Sequence, residues 1–70
     1  MKDIISKLIN ERFELIEKIQ NLANFVSEYS QVFNDKYLEL LNDQYSIMVD
    51  YAHVLDDRIA MLKGEKCPWR

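Results

Sequence analysis

Residues 34–63 read NDKYLELLNDQYSIMVDYAHVLDDRIAMLK, and within them Leu38, Leu41, Tyr45, Met48, Ala52, Leu55, Ile59 and Leu62 follow one another at steps of 3, 4, 3, 4, 3, 4 and 3. This is a heptad seam without interruption, the pattern of a helix that packs on another helix. The spacing predicts a helix from about Asp35 to Lys63. Its end is marked by Lys63, which complements the carbonyl end of the dipole, by Gly64, which can take a left-handed cap conformation, and by Pro68, which forbids resumption.

Upstream, Ile5, Leu8, Ile9, Leu15, Ile16, Ile19, Leu22, Ala23, Val26 and Tyr29 recur at helical spacing, while Ser6, Lys7, Asn10, Glu14, Glu17, Gln20, Asn21 and Asn24 point away from them. The pattern predicts an amphipathic helix over about residues 3 to 30. Neither Gly nor Pro occurs between Met1 and Lys63, so phase decides whether the chain is one rod or two helices. Carrying the first seam forward from Val26 and Tyr29 places seam positions at Phe33, Lys36 and Leu40, whereas the second seam uses Leu38 and Leu41. Neither a stutter nor a stammer absorbs that slip, so the helix must break. Asn34 is the expected N-cap, and Phe33 with Leu38 matches a hydrophobic staple, which puts the turn at Ser30 to Asn34. A connection this short makes the two helices antiparallel neighbours. The expected fold is all-α: a helical hairpin over residues 1–63, followed by a short non-helical tail, 64–70.

The second helix carries more apolar surface than one partner covers. Leu40, Ile47, Val54 and Met61 recur at seven-residue intervals beside the seam, flanked by Tyr37 and Tyr51. They widen the apolar arc to about 200°, against roughly 100° for a helix with a single partner. Seventy residues form only one small domain, whose core is marginal without further cover. The expected cover is another copy of the chain, through an interface built on Leu40, Ile47, Val54 and Met61, giving a bundle or a ring of hairpins. The alternative is a groove for a foreign partner.

Composition excludes much of the rest. Nine basic and 12 acidic residues give a formal charge of −3 spread evenly along the chain, so no cluster of Lys and Arg offers a nucleic-acid footprint. One cysteine excludes an internal disulfide, and no segment has the length of a signal-peptide core or of a membrane span. The expectation is a cytoplasmic protein with no membrane partner. With one His and one Gly there is no phosphate-cradling loop, zinc motif or nucleophile triad, and we expect no catalysis, no cofactor and no metal. His53, with Asp50, Asp56 and Asp57 nearby, reads as part of a solvated helix face.

Several residues depart from the helical pattern. Arg12 occupies a core-type position while Phe13 projects to the polar side. A buried Arg must be paired, either with a helix-two acid such as Asp56 or with an anionic ligand. Tyr37, Tyr51 and Arg58 share one edge of the second helix at multiples of seven residues, which suits either an oligomer rim or a nucleotide stacked on rings with its phosphate on the guanidinium. The tail ends in Trp69 and Arg70, residue types enriched at interface hot spots.

Leu40, Leu41, Gln44, Met48, Tyr51, Leu55, Arg58 and Ile59 resemble, at these intervals, the signature of a family of small phage proteins related to a crAss-like phage product. The run Glu14-Leu15, Lys18-Ile19, Leu22 and Phe25 is similar to that family's first helix, and the resemblance covers about residues 11 to 62. Arg12 stands where the family often carries an aromatic. The resemblance implies a phage accessory protein and a helical hairpin. With the residue reading, the expected function is a homo-oligomer that counters a host defence or redirects a host factor by binding. It would sequester a nucleotide-type signal through Tyr37, Tyr51 and Arg58 with Arg12 and Phe13, or mask a host protein through the second helix or the Trp69 and Arg70 tail. The alternative is a small structural subunit of an assembly.

Overall fold

The computed structural model describes residues 2–64, all but a few of them in two antiparallel helices, α1 (Lys2–Tyr29) and α2 (Asp35–Lys63). Trp69 and Arg70, with the rest of the tail beyond Gly64, lie outside the described residues. Both helices match the spans expected from the periodicity, and α1 ends at Tyr29, one residue short of the expected limit.

The break is built as the sequence proposes. Asn34 sits in extended backbone (φ −73°, ψ 167°), and its side-chain oxygen accepts a 2.8 Å hydrogen bond from the Tyr37 amide, satisfying a first-turn donor of α2. Upstream, the Val32 amide donates to the Tyr29 carbonyl at 3.0 Å, closing the end of α1. At the far end Gly64 takes φ 78° and ψ 19°, and its N–H reaches the carbonyls of Ala60 and Met61. A side chain there would be strained in this left-handed conformation, which is why α2 stops at the single glycine.

The two ends of the hairpin are held differently. At the open end the core cluster is Leu8, Leu55 and Ile59, with Leu15 and Leu62 packed against it; Leu55 is fully buried. Ile19, Leu41 and Ala52 extend the buried seam toward the turn. At the closed end aromatic rings take over: Phe25 lies 5.1 Å from Tyr29 and 5.5 Å from Phe33, and Phe33 lies 4.5 Å from Tyr37. This ladder carries contact from α1 through the turn to α2, in the tilted geometries that ring quadrupoles favour.

The molecule measures 46 × 22 × 12 Å. Its smallest dimension is about one helix diameter, so the hairpin is a single layer with both broad faces open.

Candidate functional site

The seam residues of α2 turn toward α1, and the stripe one position away does not. Leu40, Ile47, Val54 and Met61 are 58%, 67%, 50% and 70% exposed. The apolar excess therefore lies uncovered along the full length of one helix.

Two polar contacts cross the hairpin, on either side of the seam. On one side the Arg12 guanidinium donates to the Asp56 carboxylate, so the arginine at a core-type position meets the acid named among its expected partners. The Arg12 side chain is 41% exposed and that of Asp56 is 16% exposed. The pair is thus half in water, worth at most about 1 kcal/mol, and it keeps one edge of the guanidinium accessible. Beside it Arg12, Ile16, Val49, Ala52 and His53 line a shallow groove of about 160 Å³. Phe13, 70% exposed, stands over a neighbouring open depression with Glu17 and Gln20.

On the other side the Tyr51 hydroxyl donates to the Glu11 carboxylate. Glu11 carried no sequence signal, because nothing in a helical wheel says which acid a phenol will meet across a seam. The bond ties the Tyr51 side chain to α1 and leaves the residue 42% exposed. It also raises the phenol pKa above the usual 10.0, chiefly through the hydrogen bond itself, then through desolvation and the Glu11 charge, with Arg58 opposing. A raised phenol pKa favours the protonated form in the fold, so this contribution is complete below pH 10 and is lost as the pH climbs through the raised value. In an ultraviolet titration Tyr51 ionises late; Glu11→Ala removes that late phase, and an unchanged profile in the variant contradicts the assignment.

The three residues of the edge that the sequence offers for a ligand are not equivalent. Tyr37 ends the aromatic ladder and is 43% exposed; Tyr51 is pinned through its hydroxyl and is 42% exposed; Arg58 is exposed. All lie on one unbroken helix, Asp35–Lys63. At about 1.5 Å of rise per residue, Tyr51 and Arg58 are roughly 10 Å apart along the axis, and Tyr37 and Arg58 roughly 30 Å. One hairpin brings Tyr51 and Arg58 within reach of one small ligand and leaves Tyr37 at the other end.

The fold and surface define an all-α helical hairpin with an open aromatic and aliphatic face, and no helix among the described residues is long and apolar enough to cross a membrane. The chain belongs to the Sequestin family, whose model matches residues 2–61, nearly all of both helices. No curated protein and no solved structure matches the chain.

Proposed function

We propose that this chain is a phage-encoded, non-enzymatic sponge that works as a homo-oligomer in the cytoplasm of an infected bacterium, binding and withholding a nucleotide-type signal from a host defence. The observation that carries the reading is the open edge of α2, where the ring face of Tyr51 and the guanidinium of Arg58 stand a short step apart beside an uncovered aliphatic stripe. A planar base finds a stacking surface there and a phosphate finds a permanent cation. The family's name, Sequestin, speaks of sequestering, which is compatible with this role. Arg12 and Phe13 offer a second cation and ring on the opposite side of the hairpin.

Masking a host protein through α2 or through the Trp69 and Arg70 tail is the competing mode, and a purely structural subunit the competing class. Arg58→Ala discriminates among them, because Arg58 is exposed and its loss leaves the core of the hairpin untouched. Under sequestration the variant keeps its helical signal and assembly, yet retains nucleotide through gel filtration roughly 10- to 100-fold less well, the worth of a charge-assisted hydrogen bond. Full retention by the variant refutes the site, and a wild type that never retains nucleotide refutes the function.

A further inference from the structure

The polar edge and the aliphatic stripe of α2 are parts of one pattern. Taken together, Tyr37, Leu40, Gln44, Ile47, Tyr51, Val54, Arg58 and Met61 advance by 3, 4, 3, 4, 3, 4 and 3, a second complete heptad seam. It is the first seam displaced by one residue, hence by about 100° around the helix, close to the angle between the two neighbours of a helix at the corner of a bundle. The first seam packs on α1 except at Tyr45, which is 40% exposed, and every residue of the second is exposed.

We infer that this second seam pairs with the same seam of a second copy, antiparallel, and that the pairing assembles the ligand site from both chains; the second half of this inference rests on the function proposed above. The occupant is a copy of the chain for two reasons. Among the described residues seven side chains are buried, Leu8, Ile19, Leu41, Ala52, Leu55, Ile59 and Ala60, two of them alanines, a small core for a single layer that would stand uncovered while it waits for a foreign partner. The apolar side chains of the seam, Tyr37, Leu40, Ile47, Tyr51, Val54 and Met61, are also 42–70% exposed along the whole helix, a continuous strip of the kind that a standard interface of ~800 Å² per partner buries.

The antiparallel direction follows from register. In an antiparallel coiled coil each residue of one seam row faces a residue of the other row. Centred on Val49, such a pairing sets Tyr37 opposite Met61, Gln44 opposite Val54, Tyr51 opposite Ile47 and Arg58 opposite Leu40 of the second copy, using all eight seam positions with no overhang. No layer then holds two polar or two charged groups. A parallel pairing in register sets Arg58 against Arg58 and Gln44 against Gln44, burying like charges together.

The consequence is chemical. Tyr37 and Arg58 are roughly 30 Å apart in one chain, but across this pair Arg58 of one copy lies within about one helical turn of the other copy's Tyr37 and Gln44. Each end of the interface then holds a guanidinium, a carboxamide and a phenol ring backed by Phe33, itself 4.5 Å from Tyr37; Tyr51 packs on Ile47 of the second copy near the dyad, so in the pair the ring that stacks beside Arg58 is Tyr37 in place of Tyr51. A planar anion fits that set, one per chain, and neither copy supplies it alone.

Cysteine cross-linking tests the pairing without reference to any ligand. On a Cys67→Ser background, Ile47→Cys and Tyr51→Cys chains are oxidised separately and after mixing. The expected result is a covalent dimer in the mixture only. A dimer from Ile47→Cys alone indicates a parallel pair and overturns the inference, as does the absence of cross-linking throughout.

Complementation tests the shared site, with N-methylanthraniloyl-ADP as the fluorescent probe. Arg58→Ala and Tyr37→Ala chains each lose binding, and their refolded equimolar mixture regains about a quarter of the wild-type sites, since half of the dimers are mixed and each mixed dimer has one intact site of two. No recovery, with the mixed-chain cross-link intact, overturns the shared site while leaving the pairing. A wild type that cross-links as expected but ignores the probe sinks the nucleotide reading and leaves the pairing standing.

Discussion

Ile47→Asp breaks the assembly and, at low micromolar concentration, much of the helix with it. In an isolated hairpin this substitution would be nearly silent, because Ile47 is 67% exposed and exposed changes fall within about ±0.5 kcal/mol. If Ile47 instead sits near the dyad of a paired seam, the new carboxylate is placed in an apolar layer twice per dimer, at a cost of several kcal/mol for each desolvated charge. The measurement is sedimentation together with helical circular dichroism across a dilution series, with Ser46→Asp on the neighbouring exposed position as the control. A variant that keeps the wild-type assembly shows that this face is not an interface.

Leu55→Ala is the largest loss available inside the hairpin. Leu55 is fully buried and packs with Leu8 and Ile59, so truncation removes the transfer energy of the side chain and leaves a cavity, costing about 3 kcal/mol. For a domain of this size each kcal/mol moves the midpoint by about 4–8 °C, so the thermal transition falls by more than about 10 °C. Under the pairing proposed above, folding is coupled to association and the midpoint of both proteins is expected to rise with concentration. A fall of only a few degrees contradicts the central place given to this residue.

Most of the fold was legible because its determinants are local and periodic. The slip of phase between Val26 and Leu38 forces a break, Asn34 and Gly64 mark the ends of α2, and one uninterrupted seam names the face that meets α1. Arg12 was legible as a cation needing a partner, and Asp56 provides one. The aromatic ladder from Phe25 to Tyr37 was not legible, since it depends on how the turn folds the chain back and on ring rotamers that spacing does not encode. Glu11 was missed for a similar reason: the register between two antiparallel helices decides which side chains meet, and neither helix states it alone. Tyr37, Tyr51 and Arg58 form one group in the sequence because they share a side of the wheel. A wheel discards distance along the axis, and along the axis the outer two are far apart.

Native mass spectrometry of the wild-type protein purified from bacterial cells, set against its denatured mass, bears most directly on the proposal of a self-associating hairpin that holds a small signal. The expected spectrum contains an even-numbered oligomer heavier than its chains by one nucleotide-sized ligand per chain, and Arg58→Ala gives the same oligomer without the added mass. A bare monomer at micromolar concentration contradicts both the association and the sequestration it supports.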